Sequence, residues 1–218
     1  MTDLGIIGAG HIGAAIARLA IGAGYTVTLG SRRGPDSLGP LASELGANAT
    51  PGTPADAAAA GDMVVVAVPF SAIGDLPREE LAGKILIDAT NYVPWRDGTI
   101  DALEKDHTAT SAYVQDLYPD SQVVKAFNHI VWSDIPADAR PAEAADRRGI
   151  AIAGDHIESV ETVAALVDRL GFDPVNIGTL DESWRIQINS PGWITNYRAV
   201  ELAAKIREAD TWHSHPIR

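Results

Sequence analysis

The chain has 218 residues and a formal net charge of −12, and 46% of its residues are apolar. That length suits one large domain, or one domain with a small appendage, and the apolar share is ample for a core. The acidic balance argues against nucleic acid, which calls for clustered Lys and Arg, and the lack of cysteine excludes disulfides, thiolate metal sites and a cysteine nucleophile.

The first apolar run, "LGIIGAG", reads as a buried strand that ends in glycines. "HIGAAIARLAIGAG" follows with Ile12, Ala15, Ile16, Leu19 and Ala20 at helical spacing, closed by Gly22 and Gly24. "YTVTLGSR" is a second strand, so the chain opens β-α-β. "DMVVVAVP", "GKILIDATN", "SQVVKAFN" and "RRGIAIAGD" are apolar runs that suit strands buried on both faces of a parallel sheet. "FDPVNIG" is the last strand of the series. Helical stretches lie between them: "PLASELG", "PADAAAAG", "PREELAG", "TSAYVQDLY" and "IESVETVAALVDRLG". The region from Trp95 to Ser121 is polar and mixed, with room for a loop and one helix. Near the end, "PGWITNYRAVELAAKIREAD" places Pro191 near a helix start and Trp193, Tyr197, Val200 and Ala204 on one face; the tail "TWHSHPIR" reads as irregular.

Alternating strands and helices predict an α/β fold, a Rossmann doubly wound parallel sheet with a small C-terminal helical part. The expected division is a Rossmann domain over 1–180 and a small helical segment over 181–218 that completes a ligand site or a dimer interface. Met1 to Leu4 are too short and too acidic for a secretory signal, and no apolar run is long enough to span a bilayer. A cytoplasmic protein with no membrane partner is expected.

The chemistry starts at Gly8-Ala9-Gly10-His11-Ile12-Gly13, a G-x-G-x-x-G between a strand and a helix. Gly8 makes the tight turn, Gly10 lets a pyrophosphate approach, and Gly13 lets the helix pack on the strand. An NAD site places an acid roughly 20 residues on, for the ribose 2′-hydroxyl. Here that place is about Gly30, followed by Ser31, Arg32 and Arg33. A hydroxyl and forked guanidinium donors suit a 2′-phosphate, so the expected cofactor is NADP(H).

Ligands of open parallel sheets lie beyond the C-terminal strand ends. Pro69, Phe70, Asn91 and Asn128 stand there, and the expectation is a wall for a nicotinamide and its ribose; the alternative is that Asn91 and Asn128 cap turns and Pro69 stops a strand. His129, beside the same crevice, is a candidate proton donor, or a turn histidine satisfied by backbone. Lys125 is a second candidate, or a lysine at a sheet edge or with its amine in water. The other histidines, at 107, 156, 213 and 215, fall in polar or terminal segments. No spacing suggests a metal site.

"GIIGAGHIGAAIARL", "LGSRR", "AVPFSAI", "DATN" and "VVKAFNHI" occur in that order. Together they resemble the NADPH-dependent coenzyme F420 reductase family (F420H2:NADP oxidoreductases), including the reductase domain of STEAP metalloreductases, over roughly residues 1 to 180. The resemblance implies a homodimer in which the domain over 1–180 holds NADP on Gly8 to Gly13, Ser31 and Arg32, and the segment over 181–218 completes the acceptor site or the dimer interface. A hydride then passes directly between NADPH and a deazaflavin (coenzyme F420) or a flavin, with no acid-base residue required. The family carries a histidine at the strand end where Asn128 stands here, with His129 one place later, and these two are the candidate catalytic residues. Trp184 and Trp193 could stack on a flat ring or anchor a core or dimer. Reduction of a small carbonyl or imine, with Lys125 or His129 as proton donor, is an alternative, as is a non-catalytic NADPH sensor.

Overall fold

A computed structural model describes residues 3–105 and 108–209; His107, His213, His215 and the tail lie outside them. Eight strands form one sheet: β1 (Asp3–Ile7), β2 (Thr26–Gly30), β3 (Ala49–Gly52), β4 (Met63–Val66), β5 (Ile85–Asp88), β6 (Gln122–Lys125), β7 (Gly149–Gly154) and β8 (Asp173–Asn176). Their order is β3-β2-β1-β4-β5-β6-β7-β8. The chain runs outward from β1 to β3, then restarts on the other side of β1 with β4. The switch point of this Rossmann α/β fold therefore lies between β1 and β4.

Period two along each strand divides the core into two layers. Leu4, Ile6, Met63 and Val65 face the layer that holds the helices His11–Gly22 and Ile157–Arg169. Ile7, Val64 and Val66 face the opposite layer, with the helices Pro54–Ala59 and Thr110–Leu117. All four residues of β4 are buried, as its unbroken apolar run requires.

The register aligns the strand ends. Ile7 pairs with Gly30 and Val66, Val66 with Asp88, and Asp88 with Lys125. The residues that follow these five positions emerge along one edge of the sheet, and there the functional groups gather.

The structure departs from the sequence reading in four places. β3 contains Pro51, which hides a strand in a sequence; it is tolerated because β3 is an edge strand. β7 runs antiparallel to β6, so the sheet is not wholly parallel. Between them stands only the short helix Asp134–Asp138, and the chain turns back without crossing over the sheet. The stretch from Trp95 to Ser121 holds three helices, Pro94–Asp97, Asp101–Glu104 and Thr110–Leu117. The last helix is Ala199–Arg207 and does not start near Pro191, because Asn189 and Ile194 adopt positive φ and no helix continues through them. It buries Leu202 and Ile206 against Ala151 of β7, while Val200 and Ala204 are exposed.

Candidate functional site

Three glycines build the turn after β1, each for a different reason. Gly8 has φ of +98°, and a Cβ there would lie 2.4 Å from Ala67 O. Its N–H donates to Gly30 O at 3.0 Å, tying the turn to β2. A Cβ at Gly13 would lie 2.0 Å from Gly8 O and 3.2 Å from Ile6 Cγ2, so the helix sits directly on the strand. Gly10 is different: a Cβ there would meet nothing within 4 Å. Nothing in the protein's own packing demands a glycine at that position. Gly10 is the N-cap of the twelve-residue helix His11–Gly22, whose first turn receives no side-chain cap. Open space before uncapped helix N–H groups is a cradle that fits an anionic pyrophosphate.

A cavity of about 380 Å³ runs from Gly8 and Gly10 past Ser31, Arg32 and Arg33 to Pro69. Gly30 at its floor has a steric cause beyond the lack of an acid. A Cβ there would approach Ala57 Cβ to 2.9 Å and Pro54 Cα to 3.0 Å, so no carboxylate side chain fits. Ser31 Oγ accepts from the Arg33 N–H and from the Ser37 hydroxyl, each at 3.1 Å, which holds the turn that carries both arginines. Arg32 Nη1 donates to Asp75 Oδ2 at 3.0 Å. The lining thus joins open anion space to two guanidinium groups, which fits a dinucleotide carrying a 2′-phosphate.

The other strand ends divide. Asn91 and Asn128 come together: Asn91 Nδ2 donates to Asn128 O at 2.8 Å, and Asn128 Nδ2 donates to Asn91 Oδ1 at 3.2 Å and to Ile186 O at 2.8 Å. Phe127, just before, has φ of 61°; this strained turn at a strand end re-aims the chain towards those partners. Pro69 lines the cavity. Phe70 does not join the wall. It is fully buried and packs on Tyr92 and Tyr113 at centroid distances of 5.5 and 6.1 Å. His11 is exposed and stacks on Trp132 at 4.5 Å; Ile12 is half-buried against the core.

His129 is withdrawn from the crevice. It is fully buried, and its Nε2 accepts the Ala151 N–H of β7 at 2.9 Å. Burial, with Arg148 and Lys125 adding positive charge, lowers its pKa to about 3, so the ring is neutral at ordinary pH. Lys125 also departs from expectation: β6 is interior, and the lysine neither edges the sheet nor reaches water. Its Nζ lies 3.0 Å from Asp88 Oδ2 and 2.7 Å from Thr90 O, with no exposed surface. Asp88 also accepts from the Ser111 hydroxyl at 2.7 Å and the Thr90 hydroxyl at 2.6 Å. Burial pushes the Asp88 carboxyl up, but Lys125 and these hydroxyls outweigh it and hold it below its ordinary value. Trp184 is half-buried under the Arg185 guanidinium, 4.7 Å from its ring centroid, and Trp193 is half-buried in the turn before the last helix.

Sequence reasoning missed Asp75, Trp132 and Asp88. Only Asp88 left a signal: a lone acid closing "ILID" and a lone lysine closing "QVVK" occupy matching places in neighbouring strands.

Residues 3–92 match the family model described as NADP oxidoreductase coenzyme F420-dependent. Over 188 residues the chain is 29% identical to metalloreductase STEAP3 of Rattus norvegicus, which covers 84% of this chain and 35% of that protein. The chain therefore spans about a third of the length of such curated relatives. A solved hypothetical protein from Sinorhizobium meliloti is 32% identical, with 91% of this chain and 96% of that one covered and a TM-score of 0.78. A protein from Arthrobacter sp., described as a candidate F420-dependent NADP-reductase, is 25% identical, with 83% and 86% covered and a TM-score of 0.69.

Proposed function

Since the chain belongs, through residues 3–92, to the family of coenzyme F420-dependent NADP oxidoreductases, we propose that it moves a hydride directly between NADPH and a flat ring acceptor, coenzyme F420 or a flavin. The observation that carries the cofactor half is the cavity joining the open face of Gly10 to Ser31, Arg32 and Arg33. NADPH supplies the hydride. The glycine loop receives its pyrophosphate, and Ser31 with the two arginines receives its 2′-phosphate. Asn91 and Asn128, locked to each other, make a rigid wall at the ends of β5 and β6 for the nicotinamide side.

Direct transfer between rings calls for alignment and no proton donor. The burial of His129 and Lys125 supports that reading over reduction of a carbonyl or imine, because neither candidate donor is exposed to a substrate. The proposal includes a homodimer; the exposed Ile194 and Val200 of the C-terminal part support an apolar contact there. Light scattering at twice the chain mass would agree with it.

The test mixes the protein with NADPH and, separately, coenzyme F420, FMN and FAD, and follows the acceptor's visible absorbance. Bleaching of the deazaflavin or a flavin is expected. Tight NADPH binding with no bleaching of any of the three would overturn the acceptor class and leave the cofactor half standing.

A further inference from the structure

Arg32 is already engaged. Its partner Asp75 comes from the other side of the switch point: Arg32 follows β2, and Asp75 closes the 3₁₀ turn Phe70–Asp75 that follows β4. Arg32 and Ala72 of that turn both line the cavity, and Asp75, three residues beyond Ala72 and outside the lining, ties Arg32 to the turn on the other side. The side chains are 65% and 64% exposed. Such a pair is weak and screened by salt. The turn does not need it for support. The Tyr118 hydroxyl donates to Ile73 O, the Leu76 N–H donates to that same hydroxyl at 3.2 Å, and the Ser71 N–H donates to Asp97 Oδ1 at 3.2 Å.

We propose that Asp75 is a latch on the nucleotide site: its carboxylate competes with the 2′-phosphate of NADPH for Arg32 and so sets how tightly the dinucleotide is held. The proposal rests on the 2′-phosphate reading of Ser31, Arg32 and Arg33. A phosphate carries more charge than a carboxylate and can take a guanidinium fork in two bonds, where Asp75 takes one. NADPH therefore displaces Asp75, while the neutral 2′-hydroxyl of NADH does not. The displaced carboxylate remains beside the phosphate and can recapture Arg32, which favours release. A hydride carrier must leave after each turnover, and release is often the slow step.

The experiment titrates NADPH and NADH separately into the full chain, its Asp75→Asn, Asp75→Glu and Arg32→Ala variants, and the double variant. Asp75→Asn should tighten NADPH about threefold to tenfold at low salt, with the gain shrinking as salt rises, and should leave NADH unchanged. Asp75→Glu should behave like the parent. In the Arg32→Ala background the gain from Asp75→Asn should fall below about twofold. No gain for Asp75→Asn in the parent overturns the latch, while the 2′-phosphate reading stands if Arg32→Ala still discriminates. An equal gain in both backgrounds also overturns it, since Asp75 would then act by plain repulsion. If Arg32→Ala weakens NADH as much as NADPH, the 2′-phosphate reading falls and the latch with it.

Discussion

Lys125 Nζ and Asp88 Oδ2 lie 3.0 Å apart, and neither side chain has exposed surface. They are register partners at the ends of β6 and β5, directly before the segments that carry Asn128 and Asn91. The pair and its hydroxyl partners fill the end of the sheet beneath the proposed nicotinamide wall. An ion pair in such a place contributes little relative to an apolar pair, but breaking it strands a buried charge.

Removing either partner should therefore be severe. Asp88→Asn or Lys125→Met should each cost about 3–5 kcal/mol, and the double variant clearly less than the sum. Urea unfolding at pH 7 measures this. Because the folded Asp88 carboxyl titrates below its ordinary value, its contribution is complete above the ordinary carboxylate range and is lost as pH falls through the folded value. Parent and Asp88→Asn stabilities should converge in acid.

His129 should act on stability and not on turnover. Its folded pKa of about 3 is depressed, so above about pH 6.5 both states are neutral and the fold keeps its full stability. As pH falls from there towards 3, the unfolded chain takes up a proton that the folded ring refuses, and stability drops by up to about 1.4 kcal/mol per unit. His129→Gln should flatten that slope in pH-dependent denaturation. Hydride transfer at neutral pH should survive; its loss in a folded variant would return His129 to the chemistry.

The fingerprint glycines should fail in different ways. Gly10→Ala should cost the fold no more than the modest loss of a helix N-cap glycine, because its Cβ enters open space, yet it should weaken NADPH binding strongly by intruding on the pyrophosphate cradle. Gly13→Ala should destabilise the fold, because its Cβ would overlap Gly8 O at 2.0 Å. Melting curves and NADPH titrations separate the two.

Arg32→Ala should weaken NADPH by about 1.5–3 kcal/mol, the range for a lost charged hydrogen bond, and NADH far less. Equal losses in paired titrations would remove the 2′-phosphate assignment.

Features set by near neighbours along the chain were legible in the sequence. The strand runs, the amphipathic helices and the strand-turn-helix around Gly8 to Gly13 follow from periodicity and from glycine stereochemistry, which each segment carries by itself. Gly30, Ser31 and Arg32 followed from a fixed spacing after that turn. Partners distant in sequence were not legible. Asp88 meets Lys125 across 37 residues, and Arg32 meets Asp75 across 43. The same holds for the strand that covers His129, the ring stack that buries Phe70 and the reversal of β7. A periodic pattern states that a face is buried, but not which element buries it. That is decided only when strands choose neighbours and register, since a charge or an imidazole takes its energy from whatever the closed sheet sets against it.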